Sequence, residues 1–154
     1  MAPTIDYEAE LAVVIGRVCK DVPKERVHEV IYGYTLANDV TCRELQKSDG
    51  QWARAKGFDT FCPIGPWIET DFVPGTQRIF SKVNDELRQD ATLDQMIFSV
   101  ADIVVFVSQI MTLLPGDVII TGTPAGIGPL IERGNVVVGI DGLGQLTNKV
   151  SAKP

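Results

Sequence analysis

The chain has 154 residues, of which 45% are hydrophobic and 22% charged, a composition typical of a single globular domain over residues 1–154. Its net charge of −6 argues against nucleic-acid binding, and no apolar stretch is long enough to span a bilayer. Three cysteines without a C-x-x-C pair, together with an N-terminus that lacks a signal region, predict reduced thiols in a cytoplasmic protein.

The elements predicted for the first half of the chain begin with a β-strand over EAELAVVIG, ended by Gly16. A short helix over PKERVHEVI and a strand over YGYTLANDV follow. The next segment, TCRELQK, predicts a helix, because Thr41 and Glu44 have the spacing of a capping box. The stretch SDGQWARAKGFDTFCPIGPWI is rich in Gly, Pro and aromatic residues and predicts a long, functional loop.

In the second half, QRIFSKVNDELRQ predicts a hairpin that turns at Asn84 and Asp85. SVADIVVFVSQIMTL predicts a helix that opens with a capping box of Ser99 and Asp102. DVIITGTP reads as a buried strand running into a Gly/Pro loop, and NVVVGIDGLGQLTNKV as two more strands. Strands outnumber helices and most connections suit antiparallel pairing, so the predicted fold class is a β-rich α+β domain.

Two carboxylates stand at the head of the first strand. Strand side chains alternate, so Glu8 and Glu10 point to the same face, about 7 Å apart. Like charges this close repel each other unless something positive lies between them, and a divalent cation with oxygen ligands meets that need. Asp39, at the end of the YGYTLAND strand, is a candidate third ligand for Mg²⁺ or Mn²⁺.

The alternative is that the E-x-E pair lies on the solvent face of an edge strand and the protein is a β-rich scaffold. Against it, the strand continues as LAVVI, without the polar alternation that marks a solvated face. Arg43 and Gln46 follow Asp39 and share one helix face. The guanidinium of Arg43 suits a carboxylate, so a metal beside it points to a small oxo-acid ligand.

Five blocks occur in order: DYEAELAVVIG, GYTLANDVTCRELQ, WARAKGFDTFCPIGPWI, VNDELRQ and GDVIITGTPAGIG. Together they resemble the fumarylacetoacetate hydrolase family, particularly its acylpyruvate hydrolase and hydroxyheptadienedioate isomerase members, from about Asp6 to Val150. The resemblance implies a catalytic domain with a mixed β-roll or barrel and a few flanking helices. It also implies a homodimer and a bound Mg²⁺ or Mn²⁺.

The resemblance assigns roles to residues by their place in the blocks. Its metal ligands fall on Glu8, Glu10 and Asp39. Its substrate-binding groups fall on Arg43, Gln46, Lys56 and Thr123, with Lys56 also catalytic and Thr123 holding the substrate carboxylate. Without the match, Lys56 would be read as a solvated loop lysine and the TGTPAGIG stretch as a tight turn.

The reactions that the resemblance implies are C–C hydrolysis, isomerisation or decarboxylation of acylpyruvate-like or related oxo-acids. Negative charge builds on a pyruvate enolate in each, and a metal ion stabilises that charge as a Lewis acid. Lys56 adds a second positive charge there. The expected partners are a second copy of the chain and a small oxo-acid substrate. Binding to nucleic acid or to a membrane is not expected.

Family members carry a preceding lid segment whose histidine and glutamate activate the attacking water, and we expect this segment to be absent here. The only histidine, His28, follows the first strand. Hydrolysis needs such a general base. We therefore expect the chain to bind metal and oxalate-like ligands, to hydrolyse acylpyruvates poorly, and to retain more oxaloacetate decarboxylation. The alternative is a catalytically impaired domain that binds metal and forms an oligomer.

Overall fold

The computed structural model describes residues 4–151. Over that range the chain forms eleven β-strands, three α-helices and two short 3₁₀ helices. The strands are β1 (Ile5–Tyr7), β2 (Ala9–Ile15), β3 (Ile31–Asn38), β4 (Thr41–Cys42), β5 (Ile64–Glu69), β6 (Arg78–Val83), β7 (Glu86–Thr92), β8 (Val118–Ile120), β9 (Gly128–Pro129), β10 (Asn135–Ile140) and β11 (Gly144–Lys149). The helices are α1 (Arg43–Asp49), α2 (Ala53–Lys56) and α3 (Val100–Ile110), with 3₁₀ helices at Lys24–Glu29 and Leu93–Gln95.

The strands form three antiparallel sheets, in the orders β4-β1-β9, β11-β10-β6-β7 and β5-β3-β2-β8. The β-rich α+β fold class is therefore confirmed. Within the described residues the three sheets remain separate and do not close into a barrel.

Strand β2 is an inner strand of its sheet, because it pairs with β3 on one edge and with β8 on the other. All seven of its residues are buried, which explains why AELAVVI shows no polar alternation. Leu11 and Val13 share one hydrophobic core with Val138 of β10 and Val104 of α3. The strand that carries the E-x-E pair is thus fixed from both edges and packed into the core.

The hairpin and the long helix form as their sequences predict. Asn84 and Asp85 turn the β6–β7 hairpin with positive φ angles of 50° and 66°. Ser99 caps α3 by accepting from the backbone N–H of Asp102, whose side chain completes the capping box. The described part of the chain contains no helix long and apolar enough to cross a membrane. The cytoplasmic location remains a prediction.

Two local predictions are wrong. The stretch from Ser48 to Ile68 is not one long loop, because it contains α2 and the strand β5, which pairs with β3. Nor does Thr41 cap α1, which begins after Cys42 without a side-chain cap. The Thr41 hydroxyl instead donates to the carbonyl of Asp39 at 2.8 Å, so it bonds to the backbone that follows β3 rather than to the helix.

Candidate metal and substrate site

Two neighbouring strands bring the three predicted metal ligands together. Glu8 and Glu10 flank Ala9 at the start of β2, and Asp39 follows the last residue of β3. The antiparallel register pairs Ala9 with Asn38, and the Asp39 N–H donates to the Glu8 carbonyl at 2.9 Å. This pairing sets the Asp39 side chain beside the E-x-E pair.

The three carboxylates form a buried acidic cluster, defined here as Glu8, Glu10 and Asp39. One carboxylate oxygen from each lies within 4.8 Å of the others. The residues are 7%, 3% and 6% exposed, respectively, so they do not point into bulk solvent. The surface-carboxylate interpretation is therefore wrong.

Lys56 contacts the cluster from the end of α2. Its ammonium donates to the Glu8 carboxylate at 3.0 Å, to the Asp39 carboxylate, and to the Thr41 hydroxyl at 2.9 Å. The side chain is only 20% exposed. Burial alone would lower the pKa of Lys56, but its hydrogen bonds to Asp39 and Glu8 outweigh burial and raise that pKa. Lys56 is therefore a fixed positive charge between two of the three carboxylates.

Arg43, the first residue of α1, uses all three of its guanidinium nitrogens. Nε donates to Asp6 at 2.6 Å, Nη2 to Glu8 at 2.5 Å, and Nη1 to the Gln46 side-chain oxygen at 2.9 Å. Arg43 and Gln46 share one helix face, as predicted, and the structure adds a hydrogen bond between them. In this structure the guanidinium is directed at protein carboxylates, so substrate binding by Arg43 and Gln46 remains a prediction.

The charges around the cluster do not balance. Four buried carboxylates, those of Asp6 and the acidic cluster, face the two cations Arg43 and Lys56. When all four are ionised, two negative charges remain without a counter-charge. Converging buried carboxylates with an excess charge of two fit Mg²⁺ or Mn²⁺, which prefer oxygen ligands.

The pKa values reflect this excess. Burial raises the pKa of Glu10 to about 7, and Asp39 and Glu8 add to the effect. The Gly122 N–H and Lys56 oppose the shift without cancelling it. Burial also raises the pKa of Asp39, despite its hydrogen bond with Lys56. A cation bound among these carboxylates would favour their ionised forms.

The TGTP loop, residues 121–124, reaches the cluster through its backbone. After β8, the Gly122 N–H donates to the Glu10 carboxylate at 2.6 Å. The neighbouring Thr123 hydroxyl donates to the Ala9 carbonyl at 2.9 Å and accepts from Gln89 at 2.8 Å. Thr123 also borders a cavity of about 490 Å³. A contact between Thr123 and a substrate carboxylate remains a prediction.

Three residues that lie around the cluster have no predicted role in the site: Asp6, Thr41 and Gln89. Asp6 carries a signal that could have found it, because positions 6, 8 and 10 share one face of an extended chain. The spacing of Thr41 and Glu44 instead indicates a helix cap. Gln89 belongs to the VNDELRQ block, but no local pattern marks a glutamine on a hairpin strand as buried.

The fold and the site define a β-rich domain with an acidic centre of the kind that holds divalent cations. The chain belongs to the fumarylacetoacetate hydrolase family, because the family model for the fumarylacetoacetate (FAA) hydrolase C-terminal domain matches residues 1–151.

Several relatives show how far the similarity extends. Protein Rv2993c of Mycobacterium tuberculosis is 52% identical over 99% of this chain and 58% of its own length. The 2-hydroxyhepta-2,4-diene-1,7-dioate isomerase of Mycobacterium marinum is 52% identical, with a TM-score of 0.96 over 97% of this chain and 60% of that one. The chain therefore spans about three-fifths of the length of these relatives.

A more distant solved structure contains ligands. Fumarylpyruvate hydrolase from Pseudomonas aeruginosa, in complex with Mn²⁺ and pyruvate, is 36% identical to this chain. The TM-score is 0.91, and the match covers 97% of this chain and 67% of that protein. The solved relatives of the family thus include a hydrolase and an isomerase.

Proposed function

We propose that this protein is a divalent-metal-dependent enzyme acting on acylpyruvate-like or related oxo-acids, by C–C hydrolysis, isomerisation or decarboxylation. The observation that carries the proposal is the buried acidic cluster, whose three carboxylates converge within 4.8 Å. Together with Asp6, these carboxylates exceed the two neighbouring cations by two negative charges. The related fumarylpyruvate hydrolase, in complex with Mn²⁺ and pyruvate, supports the choice of metal and of substrate class.

Glu8, Glu10 and Asp39 would hold the ion. A bound Mg²⁺ or Mn²⁺ supplies a Lewis acid for the negative charge that develops on the keto-acid oxygens. In the metal-free chain, hydrogen bonds to Asp39 and Glu8 raise the pKa of Lys56 against the effect of burial, so its ammonium would add a second positive charge beside the ion. Its hydrogen bonds to Glu8, Asp39 and Thr41 hold the ammonium in place.

Arg43 fixes the Glu8 side chain, and Gln46 fixes Arg43 in turn. The Gly122 N–H directs the Glu10 carboxylate. The cluster is thus oriented from two sides before any substrate binds. Such preorganisation lets charge stabilisation act without reorganisation during the reaction.

The test is turnover of acetylpyruvate and of oxaloacetate with Mn²⁺ or Mg²⁺. Wild type is expected to convert at least one of them, with loss of turnover in chelator. Lys56→Met should reduce kcat by about 10²-fold or more, since it removes a charge at the reacting oxygens. Lys82→Met, at a half-buried lysine on β6, is the matched control and should leave turnover unchanged. Absence of metal-dependent turnover on both substrates would contradict the proposal.

We also propose that the protein forms a homodimer. Exposed apolar side chains surround the start and outer side of α3, namely Ile97, Phe98, Phe106 and Ile110, which are between 61% and 92% exposed. Monomeric proteins rarely leave such apolar surface uncovered. A second copy of the chain is the occupant that the family resemblance favours.

A further inference from the structure

Gln89 is a fully buried polar residue on β7 that lies outside the charged cluster. Its side-chain oxygen accepts from the Ala9 N–H at 3.0 Å. Its side-chain nitrogen donates to the Thr123 hydroxyl and to the Pro124 carbonyl, both at 2.8 Å. One amide therefore joins three segments: the hairpin strand β7, the start of β2 and the TGTP loop.

The position of these hydrogen bonds is specific. The ladder between β2 and β8 stops at the pair Ala12 and Ile120. Beyond that point the Thr121 N–H still donates to the Leu11 carbonyl at 3.2 Å, and side chains make the other hydrogen bonds along this edge of β2. The Thr121 and Thr123 hydroxyls donate to the Leu11 and Ala9 carbonyls, both at 2.9 Å. The Gln89 side-chain oxygen accepts from the Ala9 N–H on this edge, where β8 no longer pairs with β2.

Two routes lead from Gln89 to the acidic cluster. The first runs through the backbone of Ala9, which separates Glu8 from Glu10 in the chain. The second runs through the TGTP loop, where Gly122 precedes the two residues that Gln89 binds and donates to Glu10 at 2.6 Å. Both routes end on groups that set the direction of the carboxylates.

We propose that Gln89 is a positioning residue, which orients Glu8 and Glu10 for metal binding by fixing the Ala9 peptide and the TGTP loop. The inference rests on the proposed function in so far as these carboxylates are the metal ligands. Groups that orient metal ligands without touching the ion typically change metal affinity by 10- to 100-fold when they are removed.

A glutamine that only stabilised the fold would behave differently. Its loss would lower stability, because the Ala9 N–H and the Pro124 carbonyl would lose their partner, but metal affinity would stay the same. Ser108 offers a matched control for this distinction. It is equally buried, and its hydroxyl accepts from the Val22 N–H at 3.0 Å and donates to the Val105 carbonyl at 2.9 Å. None of these groups belongs to the cluster.

The experiment compares wild type, Gln89→Met and Ser108→Ala by Mn²⁺ titration followed by electron paramagnetic resonance. Methionine keeps the volume of glutamine and removes its three hydrogen bonds. Gln89→Met is expected to bind Mn²⁺ about 10-fold more weakly or worse. Ser108→Ala is expected to bind like wild type even though it is less stable. Equal affinity in all three proteins, or an equal loss in both variants, overturns the inference.

Amide hydrogen exchange in metal-free protein provides a second measurement that does not depend on the proposed function. The Ala9 and Gly122 amides should exchange faster in Gln89→Met and at the wild-type rate in Ser108→Ala. Unchanged exchange at both amides contradicts the inference. If wild type binds no Mn²⁺, the proposed function fails, while the exchange rates still decide whether Gln89 holds these segments.

Should Gln89→Met not fold, Thr123→Val provides a second variant, because it removes one of the three partners of Gln89. It should shift exchange in the same direction, and unchanged exchange in this variant overturns the inference.

Discussion

Ionisation is strongly disfavoured at Glu10, because the residue is buried beside two other carboxylates. It is 3% exposed, faces Glu8 and Asp39, and receives its hydrogen bond from the backbone of Gly122 rather than from a cation. Lys56 instead hydrogen-bonds Glu8 and Asp39, and Arg43 hydrogen-bonds Glu8. Glu10 is therefore the carboxylate of the cluster that has no hydrogen bond from a cation. This is the side chain whose ionisation a divalent ion would favour most.

The raised pKa of Glu10 predicts how the stability of the metal-free protein depends on pH. The pKa is about 7 in the folded chain, against an ordinary value of 4.5. The folded state thus binds the proton of Glu10 more tightly than the unfolded state does. The contribution of Glu10 to the free energy of unfolding is therefore fully present below pH 4.5 and is lost as pH rises through about 7. Urea unfolding in chelator should show the free energy of unfolding falling across that interval. Glu10→Gln should flatten the fall, and an equal slope in both proteins would contradict the assignment.

At the scale of elements, Arg43 links the first turn of α1 to strand β1 and to the residue between β1 and β2. It joins Asp6, Glu8 and Gln46 through three different nitrogens. A single ammonium could not make this set of contacts, because it lacks the planar fork of the guanidinium. The helix therefore contributes to the site mainly by holding a carboxylate in place.

Arg43→Met should destabilise the protein by about 3 kcal/mol, because it leaves the buried Asp6 carboxylate without a cation and leaves Glu8 with Lys56 alone. Chemical denaturation measures the loss, and added Mn²⁺ should restore part of it. Arg54→Met is the control, since the Arg54–Asp49 pair is exposed on the arginine side and is expected to matter little. Equal losses in the two variants would show that the Arg43 contacts are no more than a surface pair.

Much of the element pattern could be predicted from the sequence, since periodicity and caps act locally. β2, the hairpin at Asn84 and helix α3 follow from such signals. The strand β5 could not be predicted, because its Gly and Pro residues mask a segment that pairs with β3 only in the folded chain. The prediction that Thr41 caps a helix was wrong for a related reason, since its hydroxyl bonds to Asp39 and Lys56 rather than to the helix.

The site divides in the same way. The convergence of Glu8, Glu10 and Asp39 could be predicted, since alternation along one strand and the end of the next bring them together. The role of Gln89 could not, because its partners lie 80, 34 and 35 residues away in the chain. Long-range side-chain hydrogen bonds leave no periodic trace in a sequence.

For the whole molecule, the proposed homodimer makes a direct prediction. Sedimentation velocity should give twice the chain mass, and Phe106→Asp, on the exposed side of α3, should shift the protein toward monomer. A charge placed in a buried apolar interface is strongly unfavourable. Val73→Asp alters an exposed apolar residue that is not on α3 and should leave the mass unchanged. A monomeric wild type would contradict the dimer.

The central claim is that the buried acidic cluster is a divalent-ion site, and calorimetric titration with Mn²⁺ tests it most directly. Wild type is expected to bind one ion per chain saturably. Asp39→Ala removes one of three ligands and should weaken binding by about 100-fold or more, beyond the loss expected for a group that only orients a ligand, while the fold persists. Asp141→Ala, at an exposed aspartate, should bind like wild type. Absence of saturable binding in wild type, or unchanged affinity in Asp39→Ala, would contradict the claim.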